Sequence, residues 1–321
     1  MGRNVKKKKR ARRHGCLGAL IALALVVVLI VGGLYVAARL KPVVIVPADN
    51  ASELDVNEEL SDEWVNIMLL GADAGAYARS DTMIIASVQC SSGKVKLTSL
   101  MRDTYVPIDG YGSNKINTAT HFGGIDLALK TVNQCFDMNI SKYAMVDFSA
   151  FAYIVEAIGG VDVPVSEAEM RSMNQLMQDM RVLYPEIELP KEDLTVFGDS
   201  VHLDGMQALA FARIRKLDSD YNRTNRQRTL LMAIMKKAAS PSVFSGAMDI
   251  YAAIRDHVKT NLATDEVLQL AAKVLSRGVD FEELRIPVEG TYSAQRINGQ
   301  DCLVPDIAAN AARLHEFVYG G

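Results

Sequence analysis

The sequence predicts a three-layer α/β/α domain behind one N-terminal membrane helix. Three observations carry that expectation. Residues 15–38 are 24 positions without a charged side chain, set directly behind a basic cluster. From Val65 to Tyr319, apolar runs of strand length alternate with longer amphipathic segments, the pattern of helices laid on a sheet. No self-similarity at a 20–50-residue period is present, which sets solenoids aside.

The N-terminus divides cleanly. Residues 1–41 hold ten basic side chains and no acidic one. Taking those ten from the 35 Lys and Arg of the chain leaves 25 against 38 acidic residues, so the remainder carries a net −13. Residues 1–14 therefore read as a basic cytoplasmic tail and 15–38 as a transmembrane helix. A span needs about 20 apolar residues, and positive charge stays inside. A cleaved signal peptide is the competing reading, but its apolar region is usually about 7–15 residues. Residues 39–63, polar and acidic after a Val/Pro stretch, read as a juxtamembrane linker. Residues 64–321 read as one extracellular domain.

Within that domain, Val65–Leu70, Thr82–Val88 and Lys94–Leu100 read as strands, the last two split by a turn at Cys90–Gly93. Ile125–Phe136 reads as a helix, Tyr143–Phe148 as a strand, and Phe151–Ile158 as a helix stopped by Gly159-Gly160. Val161–Val165 reads as a strand. The segment from Ser166 to Leu183 is an amphipathic helix whose Ser166 and Glu169 form a capping-box pattern. Further helices are expected over Gln207–Phe211, 225–239 (ended by Pro241), Thr264–Ser276 with Thr264 as cap, and Pro305–Tyr319. Glu283–Val288 is the last strand. Cys90, Cys135 and Cys302 lie where a disulfide is permitted, and spacing alone does not pair them.

The chain has no P-loop, HExxH, GxSxG or CxxC pattern. Its five histidines are scattered and suggest no triad. The informative feature is Arg and Asp gathered at expected strand ends. Asp73, Arg79 and Asp81 follow the first strand. Arg102 and Asp103 follow the third. Arg213, Arg215, Asp220, Arg223, Arg226 and Gln227 form a third group. Guanidinium forks bind phosphate oxygens bidentately, carboxylates beside them suit a hard cation, and loops at strand ends are where α/β sheets place sites. Alternatively, the 213–228 cluster is solvated surface, and the apolar side chains of 143–165 and 170–183 are either an apolar cleft or ordinary core.

Taken in order, Leu69-Leu-Gly-Ala-Asp73, Arg79-Ser-Asp81-Thr, Arg102-Asp103-Thr-Tyr-Val, Lys115-Ile-Asn117, Gly159-Gly-Val-Asp-Val163, Leu203-Asp-Gly-Met-Gln-Ala-Leu209, Arg213-Ile-Arg215 and Asp220-Tyr-Asn-Arg223-Thr-Asn-Arg226-Gln227 resemble the LytR-CpsA-Psr family. The resemblance implies a phosphotransferase that moves a teichoic acid or capsular polysaccharide from undecaprenyl pyrophosphate to peptidoglycan. It implies Asp73 and Asp81 as ligands of Mg2+ (or Mn2+). It implies Arg79, Arg102, Arg213, Arg215, Arg223 and Gln227 as the pyrophosphate grip, supported by Asp103 and Asp220, with Lys115 and Asn117 lining the pocket. Asp103 is the expected base, or else the group that orients Arg102. Two positions depart from the family pattern: Met101 stands where Pro is usual, and Ala74-Gly75 where many members carry another arginine. A polyprenyl-pyrophosphate phosphatase and a non-catalytic polymer-binding scaffold remain alternatives. A nucleic-acid role is set aside, because the cytoplasmic part is too short to fold.

Overall fold

The computed structural model describes residues 51–72, 80–214, 258–277 and 281–320, with Leu217, Arg226, Thr229, Leu230, Ala233, Ile234 and Lys237 between. The expected cytoplasmic tail and membrane span lie outside the described residues. Among the described residues no helix is long and apolar enough to cross a membrane.

A six-stranded mixed sheet forms the centre. Its strands are β1 (Trp64–Ala72), β2 (Ser80–Gln89), β3 (Val95–Leu100), β6 (Lys142–Val146), β9 (Lys259–Thr260) and β10 (Phe281–Ile286), in the order β10-β3-β2-β1-β6-β9. β1 pairs antiparallel with β2 and parallel with β6; β3 pairs antiparallel with β2 and parallel with β10. Outside the sheet lie three two-stranded antiparallel ribbons. They join β4 (Tyr105–Ile108) to β5 (Gly112–Lys115), β7 (Val161–Val165) to β8 (Gly198–Leu203), and β11 (Tyr292–Ile297) to β12 (Gln300–Pro305).

The strand period of two sorts β1 between two cores. Ile67 and Leu69 join a cluster with Phe151, Ile154, Leu209 and Phe211. Those side chains come from α2 (Phe148–Ala157) and α4 (Gly205–Arg213), with Met173, Met177 and Met180 from α3 (Glu167–Leu183). Met68 and Leu70 face the opposite cluster, with Leu129 and Phe136 of α1 (Ala119–Phe136) and Leu314 and Val318 of α6 (Ile307–Tyr319). α5 (Thr264–Arg277) adds Val267, Leu270 and Val274 to the first cluster. Helices thus cover both faces, and burying each Leu or Phe contributes about 1.5–3 kcal/mol. The apolar stretches 143–165 and 170–183 are mainly core: Phe151, Ile154, Met173, Met177 and Met180 are all buried.

Local chemistry explains the breaks between elements. α1 is interrupted at Gly123 and Gly124, whose dihedrals are not helical, so its regular part begins at Ile125. Ser166 and Glu169 form the expected capping box of α3, and Asp204 with Gln207 forms another at α4. After α2, Gly159 and Gly160 both take positive φ; a Cβ on Gly160 would meet the His202 ring at 2.5 Å. Thr264 is the first residue of α5 rather than its cap; the Ala263 N–H just before it donates to Glu266 Oε2 at 2.8 Å. Within the helix expected over 225–239, the described residues from Arg226 to Lys237 are helical.

The domain begins earlier than the sequence suggests. Residues 51–63, read as the end of a linker, pack onto it: Leu54 is buried, its carbonyl accepts from Asn133 Nδ2, and Asn57 N–H donates to Met138 O. The β11–β12 and β4–β5 hairpins were not expected as strands. Cys90, Cys135 and Cys302 are free thiols, and burial pushes the Cys135 thiol up to about 12.

One buried polar group ties the sheet to the closing helix. Asn66 Nδ2 donates to Asn139 Oδ1 (2.6 Å) and to the Tyr319 hydroxyl (2.8 Å), while its Oδ1 accepts from Ser87 Oγ (2.6 Å). Asn66→Ala strands three partners in a site only 4% exposed. A loss of about 2–3 kcal/mol is expected in urea unfolding; a change below about 0.5 kcal/mol would show the network to be dispensable.

Candidate active site at one end of the sheet

β1, β3 and β6 run parallel, so their C-terminal ends lie at the same edge of the sheet. β2, antiparallel to them, starts there. That edge collects the end of β1, the start of β2, the Arg102-Asp103 turn and the start of α2, as an open α/β sheet places its crevice.

The β1–β2 pairing ends irregularly. Gly71 pairs with Thr82 and Ala72 with Ser80, leaving Asp81 as an extra residue. Bulges of this kind recur beside active sites. Ser80 is fixed twice: its N–H donates to Thr120 Oγ1 (3.0 Å), and its hydroxyl donates to Gly71 O (3.1 Å). Asp73, Arg79 and the Asp81 side chain lie outside the described residues, as do Arg215, Asp220, Arg223 and Gln227.

The Arg102-Asp103 turn is pinned from several elements. Met101 N–H donates to Ile286 O (2.8 Å), Leu303 N–H to Asp103 O (2.9 Å), and Ile116 N–H to Thr104 O (2.7 Å). The first of these gives Met101 a physical meaning, because proline has no N–H to donate. Leu303 belongs to β12, so the C-terminal hairpin abuts the turn. Asp103 stands between two cations: Oδ1 accepts from Lys115 Nζ at 2.7 Å, and Oδ2 lies 3.9 Å from Arg102 Nε. The Arg102 side chain is 38% exposed and able to meet a ligand.

Asn117 follows Lys115 and is 5% exposed; its Oδ1 has no hydrogen-bond partner among the described residues. Its carbonyl accepts from Thr120 Oγ1, the same hydroxyl that holds Ser80. Thr82 Oγ1, next to Asp81 in sequence, is likewise buried without a partner among the described residues. These oxygens, with the carboxylates of Asp73 and Asp81, are the hard donor types that fit Mg2+. Among the described residues no group of three or more His, Cys, Asp or Glu side chains is placed to hold a metal.

Arg213, at the end of α4, reaches the same edge by stacking. Its guanidinium lies 4.6 Å from the Phe148 ring centroid and 5.4 Å from that of Tyr184, and Nη1 donates to the Tyr184 hydroxyl at 2.8 Å. Phe148 opens α2 directly after β6, which fixes Arg213 near the carboxyl end of that strand. A planar guanidinium suits such aromatic faces. Arg226 is buried, donating to Glu169 Oε1 (3.4 Å) and Ile214 O (3.2 Å). It borders a cavity of about 480 Å³ walled by Pro164, Val165, Phe197 and Phe211.

The structure thus brings Arg102, Asp103, Lys115, Asn117 and Arg213 to one end of the sheet. Sequence reasoning did not find the groups that hold the arginines. Tyr184 stands 29 residues from Arg213 and Glu169 57 from Arg226, and no local pattern links them. Leu303 was equally invisible as a support of Asp103.

Comparisons with known proteins identify the family. The LytR_cpsA_psr family profile matches residues 44–315. The chain is 35% identical, over 76% of each sequence, to a polyisoprenyl-teichoic acid–peptidoglycan teichoic acid transferase TagU of Bacillus cereus (strain AH820). It is 33% identical to the TagU of Oceanobacillus iheyensis, over 91% of this chain and 89% of that one. A solved structure described as "TagT bound to LIIa-WTA" superposes with a TM-score of 0.57 at 25% identity, covering 82% of this chain and 95% of that one. By its motifs, its fold and a match spanning most of its length, the chain belongs to the LytR-CpsA-Psr family.

Proposed function

We propose that this chain transfers an anionic glycopolymer of the teichoic acid type from a polyprenyl pyrophosphate carrier to a peptidoglycan hydroxyl. Residues 15–38 would anchor it in the membrane with the domain outside. The observation that carries this reading is the placing of Arg102, the Asp103–Lys115 pair and Arg213 at the edge of the sheet where β1 ends and β2 begins. The activity in the TagU relatives' names supports it.

A pyrophosphate at this edge brings concentrated negative charge. Arg102, Lys115 and Arg213 would offset it, and Arg79, Arg215, Arg223 and Gln227, with Asp220, would complete the grip. The acceptor hydroxyl attacks the polymer-bearing phosphorus. The bond from that phosphorus to the bridging oxygen breaks, and polyprenyl phosphate leaves with the electron pair. The hydroxyl proton passes to a carboxylate or to water. Asp103, already engaged by Lys115, is assigned here to positioning Lys115 and Arg102. Asn117, whose buried Oδ1 has no partner among the described residues, joins the same hydrogen-bonded frame through its backbone carbonyl. Asp73 and Asp81 would hold Mg2+ or Mn2+, which when bound supplies further neutralisation of the leaving phosphate.

The full chain in detergent, given a polyprenyl-pyrophosphate oligosaccharide and peptidoglycan fragments, tests this by mass spectrometry. A phosphodiester-linked product that EDTA suppresses and Mg2+ restores is the expected result. Polyprenyl phosphate released without that product would reassign the chain as a phosphatase using water. A bound carrier with no turnover would mark a scaffold.

A further inference from the structure

One exposed aromatic stands at the far end of the hairpin that carries Lys115. Tyr111 stands in the turn of the β4–β5 hairpin and is 52% exposed. Its ring lies parallel to that of Phe122, with centroids 4.6 Å apart and planes 5° apart. Its hydroxyl donates to Phe122 O at 3.1 Å. The ring is therefore held by one face and by its tip, while its remaining surface meets solvent.

Both partners of the stack continue into the site. The other end of the hairpin pairs Tyr105 with Lys115, the lysine bound to Asp103. Phe122 follows, two residues on, Thr120, which holds Ser80 at the start of β2. From the Tyr105–Lys115 pair to the Ile108–Gly112 pair is three rungs, so the ring stands roughly 10 Å or more from Lys115.

We infer that Tyr111 is an aromatic subsite for the sugar chain of the acceptor, stacking on a pyranose ring beyond the one that is modified. This rests on the function proposed above. The chemistry around the ring selects the occupant. Asp109 lies two residues away, its carboxylate 2.8 Å from Lys130, which also faces Asp55 at 3.7 Å. The acidic pair outnumbers that one cation, in a body of net −13. Such a surface repels a polyphosphate donor or an anionic bilayer. An uncharged sugar ring needs no counter-ion, and a ring already immobilised loses little freedom on binding it.

The test compares a long glycan chain with a single disaccharide fragment as acceptor, using the full chain in detergent. Tyr111→Ala should raise KM for the long chain about tenfold, the scale of an aromatic contact of roughly 1.4 kcal/mol. KM for the fragment and for the donor should stay unchanged, and Tyr111→Phe, which keeps the ring, should leave the long-chain KM near that of the wild type. An alanine variant with an unaltered KM for the long chain overturns the inference. So does an equal rise for both acceptors, which would be a general distortion. Direct binding of the long chain without donor separates the two readings. Binding that Tyr111→Ala weakens, in a protein that transfers nothing, keeps the subsite and removes the transferase. If Tyr111→Ala weakens binding to anionic vesicles but not to glycan, the ring is a membrane contact and the inference fails.

Discussion

Arg102→Ala should lower the turnover number for polymer transfer by about 10²–10³-fold, the loss typical of removing one charge-stabilising donor from a reacting centre. The melting temperature should hardly move. The Arg102 side chain is 38% exposed, and the turn that carries it is fixed by backbone bonds from Met101, Leu303 and Ile116 that do not involve the guanidinium. Asp81→Ala should cost at least as much activity, because it would remove a ligand of the proposed metal ion. Arg102→Lys separates charge from geometry: a lysine restores the charge but not the bidentate fork, so a partial recovery is expected. Single-turnover transfer by the purified variants, beside their thermal unfolding curves, is the measurement. Full activity in either alanine variant would remove that residue from the reaction.

Gly205→Ala should be the most damaging small change to the fold. A Cβ at this position would stand 2.1 Å from the Ala152 carbonyl oxygen and 2.9 Å from its carbon. The clash is with backbone, so no rotamer relieves it, and α4 must move away from α2. A loss of about 3 kcal/mol or more is expected in urea unfolding. Activity should fall as well, because α4 ends in Arg213 and the shift would pull its guanidinium from the Phe148 and Tyr184 rings. Tyr184→Ala offers the contrast. It would free Arg213 without touching the α2–α4 contact, so carrier binding should weaken with a smaller loss of stability. If Gly205→Ala unfolds like the wild type, the close approach of these helices is not what positions the arginine.

The same glycine shows how far a motif can be read. In Leu203-Asp-Gly-Met-Gln-Ala-Leu209, Asp204 and Gln207 cap α4 reciprocally, a pattern local enough to appear in the sequence. The reason for the glycine between them is Ala152, 53 residues away, and only packing reveals it. The missed hairpins are a different case. Asn298-Gly299 between β11 and β12, and Asp109-Gly110 between β4 and β5, are turn signals with positive φ at Asn298, Gly299 and Gly110. β5 and β11 lack the apolar alternation that marks a strand, because neither has a buried side chain. β5 and β11 pair with their neighbours at the surface, while β4 is too short for its buried Val106 and Ile108 to set an alternation.

The sequence by itself determined the alternation of strands and helices, the strand ends that carry charge, and the family. Each depends on residues within a few positions of one another: an apolar period, a capping box, an Arg beside an Asp. The tertiary structure decided which charged groups share an edge and what holds them. The parallel run of β1, β3 and β6 brings the Arg102 turn and the start of α2 to one end of the sheet. Lys115 reaches Asp103 across a hairpin, and Arg213 is fixed by aromatic rings from α2 and from just beyond α3. The physical reason is range. Periodicity and capping act through neighbouring residues, whereas ion pairs and stacking need only proximity in space, which the sheet topology creates.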